Sequence, residues 1–251
     1  MINNLNNNKT KGTILLIHGF LGSSLNMQPL KEFLLTNGYS VISFDLPGHG
    51  NDYLNFNNTD KDKWLKKVEE EFDKIKEESN ISIIGFSMGA NLAILLFNKI
   101  KDKLNTNIRL ILLAPAFSVN TKFFPSFFKV LIGLVINKKF KLKFQNPGCN
   151  DPFYKKYYIQ KVEYISPQKF WDLYFLIIKS KLIIRKLSLP ILFIHSKKDI
   201  LSPYKNSYKI YIKLKNRYKY LLALNRSNHF IQLDLERVIV YKTIIQFIEK
   251  T

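Results

Sequence analysis

Apolar residues fall along this chain in two rhythms. β-former runs at 13–17, 39–44, 81–84, 108–114, 189–195 and 217–224 read as strands, the first of them continuous and covered on both faces. Pro190 is tolerable because it falls at the start of its run. Between the runs the spacing lengthens to that of a helix. Trp64, Leu65, Val68, Phe72 and Ile75 recur at helical intervals through 62–78, with charges between them, as an amphipathic helix lying on a sheet requires. Residues 30–37 end a helix at Gly38, 90–100 are apolar enough for a nearly buried helix, and 234–248 form a closing one. Strand and helix alternate, so the pattern predicts an α/β fold with a mostly parallel central sheet and helices on both faces.

The alternation stops at residues 117–189. This stretch is dense in aromatics, among them Phe123, Phe124, Phe127, Phe144, Tyr158, Phe170 and Trp171, and carries 14 Lys and Arg against 3 Asp and Glu, a local net of +11. Segments 127–136 and 170–184 are helix-capable and strongly apolar. We read 1–116 and 190–251 as one core and 117–189 as an inserted helical lid over the carboxyl ends of the strands, where open α/β sheets bind ligands. Its apolar residues also serve to pack it onto the body.

With 251 residues and 46% hydrophobic side chains, the chain can bury a large core, and one domain with an insertion is the natural count. The lone Cys149 excludes an intrachain disulfide and fits a reducing compartment. Residues 1–8 are polar and lack the apolar centre of a signal peptide, so a cytoplasmic location is expected. The stretch 123–136 contains Lys129 and falls short of a membrane span. The formal charge of +20 favours anionic surfaces. No nucleic-acid module accompanies it, and the lysines are dispersed, so specific nucleic-acid binding is not expected. The local charge of the insertion beside apolar segments admits peripheral contact with an anionic membrane, although a lysine-rich composition alone produces the same dispersal.

Residues 81–89 carry the chemistry. A β-run stops at Gly85, Ser87 stands between Gly85 and Gly89, and a helical pattern follows. This is a G-x-S-x-G nucleophile elbow in strand–turn–helix context. A sharp turn strains the serine backbone, which is why the neighbours two positions away lack side chains. An activated serine needs a base, and the base needs an orienter. Of the four histidines, His18 and His49 follow strands upstream of the elbow, and His195 closes an apolar run. His229 falls in a polar loop between the last strand and the last helix, at the carboxyl edge of the sheet, and is the expected base. Asp199, just past a strand end, is the expected acid. Asp234 competes, but its position at a predicted helix start suits a cap. The backbone N–H groups of Met88 and Phe20 are the expected donors to an oxyanion. Cys149 lies in an insertion loop, which disfavours a cysteine nucleophile. A haloalkane dehalogenase would need a carboxylate at position 87. The histidines and carboxylates show no metal-ligand spacing.

Together, residues 18–23 (HGFLGS), 45–50 (DLPGHG), 85–89 (GFSMG), the Asp199 segment and 227–234 (SNHFIQLD) resemble the α/β-hydrolases of the small carboxylesterase and monoacylglycerol lipase group, over about residues 13–250. The resemblance implies Ser87 as nucleophile, Asp199 as acid, His229 as base, and Phe20 with Met88 as the oxyanion hole. His18 and His49 are implied to be loop scaffold. It implies hydrolysis of short- to medium-chain carboxylic esters or monoglycerides without a cofactor. Thioesters and amides remain alternatives, and a non-catalytic binding protein of the same fold is the rival of a different class. Ser196 replaces a glycine common in relatives, and the lid is unusually basic. No oligomeric state is specified.

Overall fold

The computed structural model describes residues 10–101, 107–141, 148–157 and 162–251. The Asn-rich entry at 1–9, and Phe144 and Tyr158 of the insertion, lie outside the described residues. Six strands form one sheet: β1 (Thr13–Ile17), β2 (Ser40–Ser43), β3 (Asn80–Phe86), β4 (Asn107–Leu113), β7 (Ile191–Ser196) and β8 (Lys219–Leu224). Their order is β2-β1-β3-β4-β7-β8, and every pairing is parallel.

Strand periodicity divides the core. Leu15, Ile17, Ile83, Leu110, Leu112 and Phe193 face one layer. Ile14, Leu16, Ile84, Ile111, Leu113 and Ile194 face the other. The first layer is covered by α2 (Lys61–Asp73), α3 (Met88–Ile100) and α6 (Tyr204–Lys213), and the second by α1 (Gln28–Thr36) and α7 (Arg237–Lys250). The largely apolar, buried strands β1, β3 and β4 are what burial of both sheet faces demands, with Ser82 and Arg109 as polar exceptions. Between β1 and β3 the strand order reverses, so the loops leaving these two strands diverge and open a crevice at their carboxyl ends.

The chain leaves this body after β4 and returns at β7. Between them lie α4 (Phe127–Val135), a short antiparallel pair of β5 (Phe140–Lys141) and β6 (Tyr164–Ile165), and α5 (Pro167–Ile183). Helix α5 starts three residues earlier than its apolar pattern indicates, because Pro167 occupies a first-turn position where its missing N–H costs nothing. A buried ion pair within this helix sets one of its contacts with the body. Lys169 Nζ lies 2.9 Å from Asp172 Oδ2 and sits over the Trp64 ring of α2. One face of α4 is open to solvent at Phe128, Ile132, Val135 and Ile136. Among the described residues, no helix is long and apolar enough to cross a membrane.

Candidate active site

Strand β3 runs directly into α3 through one residue, Ser87, held at φ 53° and ψ −117°. A Cβ on Gly85 would run into the Gly89 carbonyl and Ala90, and one on Gly89 into the carbonyls of Ile17 and His18. Both glycines are therefore obligatory for the close packing of this turn. Two more non-glycine residues with positive φ stand nearby, Leu21 (59°) after β1 and Ala114 (42°) after β4. Strain of about 1–3 kcal/mol each is thus concentrated at three neighbouring strand ends.

The hydroxyl of Ser87 lies 2.9 Å from His229 Nε2, and His229 Nδ1 lies 2.6 Å from Asp199 Oδ2. All three side chains are buried. The expected serine, histidine and acid are therefore brought into a single hydrogen-bonded line from three different loops. Asp199 is bound more fully than that line needs. Its Oδ1 accepts from the N–H groups of Leu201 and Ser202, both at 2.8 Å. Its Oδ2 also faces Nε2 of His195 at 2.9 Å. Burial alone would raise the carboxyl's pKa, but the His229 charge and the hydrogen bonds from His195 and His229 outweigh it and hold Asp199 well below the ordinary carboxylate range.

His195 is a residue that the sequence left at a strand end with no assigned partner. It is wholly buried, with Nδ1 2.7 Å from Ser207 Oγ and Nε2 also 2.9 Å from the Ser202 carbonyl. With two acceptors facing it, Nε2 carries a hydrogen. The Ser196 hydroxyl, present where a glycine is common, donates to the Ser227 carbonyl and accepts from Lys198 N–H at 3.1 Å. The departure thus ties the acid loop to the histidine loop.

Asp234 does not cap the last helix, which starts at Arg237 after Glu236. Its carboxylate accepts from the N–H groups of Asn150, Asp151, Leu235 and Asn228. Glu236, unremarked in the sequence, takes the N–H groups of Asn225, Arg226 and Ser227. Burial opposes its ionisation, but these bonds overcome it and lower its pKa. Two acidic side chains thus pin both ends of the loop presenting His229. Cys149 is buried nearby, its Sγ donating to Leu233 O at 3.9 Å and Asp151 O at 3.6 Å.

Phe20 and Met88 border the serine from two sides. Gly19 packs so closely that a Cβ there would lie 3.0 Å from Ser87 Cβ, and Met88 is the first residue of α3. The Phe20 ring is wedged against Phe56, Trp64 and Phe170. His18 braces this loop from behind: Nδ1 donates to Gly19 O at 2.9 Å and Nε2 accepts Leu46 N–H at 3.0 Å. His49 is also buried, with Nδ1 3.1 Å from Pro47 O and Nε2 without a partner among the described residues. Burial lowers the pKa of both imidazoles, that of His49 well below 6.5 with His18 adding to it. Below pH 6.5 the unfolded chain therefore binds protons that the folded chain refuses, and stability must fall as pH is lowered. Urea unfolding midpoints should be lower at pH 5.5 than at pH 7.5; an equal or higher midpoint at pH 5.5 would remove these two histidines as determinants.

A small cavity of about 40 Å³ adjoins Ser87 and His229, walled by Phe20, Phe86, Val119, Phe124, Leu173 and Leu201. Phe124 and Leu173 belong to the insertion, which therefore roofs the serine. Among the described residues, no carboxylate lines the cavity. Among the described residues, no cluster of three or more His, Cys, Asp or Glu side chains could hold a metal ion.

The model of the family described as "Serine aminopeptidase, S33" matches residues 8–236. A thermostable monoacylglycerol lipase of Bacillus sp. (strain H-257) is 37% identical over 84 residues, which are 33% of this chain and 34% of that lipase. Among solved structures, a monoacylglycerol lipase from Paleococcus ferrophilus superposes with a TM-score of 0.78 at 20% identity, covering 95% of each chain. A soluble variant of monoglyceride lipase from Saccharomyces cerevisiae gives 0.79 at 20% identity, covering 98% of this chain and 88% of that one. At these identities the structural likeness establishes the α/β-hydrolase fold.

Proposed function

The chain belongs to the family described as serine aminopeptidase, S33, and on that premise we propose that it hydrolyses carboxylic esters of short- to medium-chain acyl groups, monoglycerides included, through an acyl-enzyme. The line from Ser87 Oγ through His229 to Asp199 carries this reading. With the Nδ1 hydrogen held by Asp199, His229 presents the Nε2 lone pair to Ser87 and takes its proton as the oxygen attacks the ester carbonyl. The N–H groups of Phe20 and Met88 receive the developing oxyanion, each contributing on the order of 3 kcal/mol. His229 then protonates the departing alcohol, activates a water against the acyl-enzyme, and the acid leaves with Ser87 restored.

The family description names a peptidase, so amide cleavage is the second reading. An aminopeptidase must receive an α-ammonium beside the scissile bond, and the cavity at Ser87 offers it no carboxylate. An apolar acyl chain suits the same walls. At about 40 Å³ the cavity is far below the 300 Å³ or more typical of ligand sites. Substrate therefore enters by displacement of Phe124 and Leu173, which is the role we assign to 117–189 as a lid on the core of 1–116 and 190–251. The open face of α4 and the basic insertion support peripheral contact with an anionic membrane during that opening.

Each methylene buried should improve binding by about 0.8 kcal/mol until the pocket is full. On p-nitrophenyl esters, kcat/KM is expected to rise from acetyl to a medium-chain acyl group and then fall. A flat series, or a strict preference for acetyl, contradicts an apolar acyl site.

A further inference from the structure

A second, larger hollow lies in the insertion, outside the residues that bond to one another around Ser87. It encloses about 580 Å³. Its floor is apolar, made chiefly by Phe123, Phe124, Ile132, Ile136, Phe140 and Phe170. Four lysines, Lys122, Lys129, Lys138 and Lys141, also line it, and all four are exposed. Among the described residues no carboxylate lines it, and residues 117–150 contain no Asp or Glu at all. Water screens these ammonium groups from one another, yet their combined field favours an anion that enters beside the apolar floor.

The floor is built closely. Gly133 of α4 lets the Phe140 ring approach, since a Cβ there would stand 3.0 Å from that ring. Phe140 in turn meets Phe170 edge-on, with ring centroids 5.5 Å apart. The volume falls within the range of small-molecule sites, whereas the cavity at Ser87 does not. Phe124 is the wall common to both.

We propose that this hollow in the insertion, floored by Phe123, Phe140 and Phe170 and rimmed by Lys122, Lys129, Lys138 and Lys141, binds a single-chain amphiphile with an anionic head. The chain lies on the aromatic floor and the head lies among the ammonium groups. A neutral monoglyceride would use only half of these features. The head is a carboxylate or a phosphate monoester, both of which lysine receives as a point charge. Because Phe124 is shared, occupancy of the hollow also supports one wall of the Ser87 cavity.

The test is equilibrium binding, which needs no turnover and so stands apart from the proposed hydrolysis. Dodecanoate, dodecyl phosphate, dodecyl maltoside and dodecyltrimethylammonium are titrated into the full chain below their micelle concentrations, at low salt and at 0.5 M NaCl. Both anions should bind at least tenfold more tightly than the neutral and cationic amphiphiles, and that advantage should shrink at high salt. The stronger of the two anions identifies the head group. Replacing Lys122, Lys129, Lys138 and Lys141 together by glutamine should cost the anions at least tenfold and leave dodecyl maltoside unchanged. Blocking Ser87 with a small methylphosphonate should leave anion binding intact. Equal affinity for all heads, no loss in the glutamine variant, or loss of anion binding on blocking Ser87 would each overturn the assignment. Phe140→Ala, which removes the floor and no charge, should weaken all four ligands alike; selective weakening of the anions there would also contradict it.

Discussion

Ser87→Ala should lower kcat on a medium-chain p-nitrophenyl ester by roughly 10⁴- to 10⁶-fold while leaving KM within a few-fold. The reasoning starts from geometry. Ser87 Oγ is the group 2.9 Å from His229 Nε2, and its backbone is held in a strained turn that only close packing sustains. Alanine removes the attacking oxygen but leaves the Phe20 and Met88 N–H groups in place, so a residual rate above that of water should survive. The fold should tolerate the change, because the replaced hydroxyl borders a cavity rather than filling a core. A variant that keeps its urea midpoint and still turns over within tenfold of the parent would remove Ser87 from the chemistry.

Asp199→Asn should cost about 10⁴-fold in kcat, close to the serine effect, although it is nearly isosteric. Asp199 Oδ2 accepts the Nδ1 hydrogen of His229, which leaves the Nε2 lone pair toward Ser87. An amide NH₂ at that place donates instead, moves the hydrogen to Nε2, and the base faces the serine already protonated. The same NH₂ also meets Nε2–H of His195, donor against donor, while the amide oxygen stays with the Leu201 and Ser202 N–H groups. Asp234→Asn makes the contrast. Its four bonds are all to backbone N–H groups of loops, so its loss should destabilise the His229 loop by about 2 kcal/mol. Its effect on kcat should stay within about tenfold. The reverse ranking, with Asp234 crippling and Asp199 mild, would show that the acid has been misassigned.

Much of the body was legible because both faces of a parallel sheet are buried. Runs such as 13–17 and 108–114 are apolar apart from Thr13 and Arg109, and they delimit β1 and β4 to within a residue. Helix α6 was not legible. Its stretch alternates Tyr, Lys and Ile, a β-like composition, and only Ser207 and Ile210 are buried on it. The interval from Ser207 through Ile210 to Leu214 was the available sign. Residues 50–58 form 3-10 turns around Phe56, which is buried beneath Trp64. Their short period carries too few apolar positions to register. In the site, the strand-end placement of Ser87, Asp199 and His229 was readable because parallel strands deliver all such loops to one edge. The partnership of His195 with Asp199 was not, since it depends on residues 197–203 folding back onto β7. The work of Glu236 was hidden for a similar reason: a carboxylate that collects three backbone N–H groups looks, in sequence, like any other surface acid.

The most direct test of Ser87 as a nucleophile activated by His229 is intact-mass and peptide mapping after treatment with a p-nitrophenyl alkylphosphonate. A single adduct on Ser87, formed at a rate that collapses in His229→Ala, is the expected result. No adduct, an adduct on another side chain, or labelling of Ser87 at an undiminished rate without His229 would contradict it.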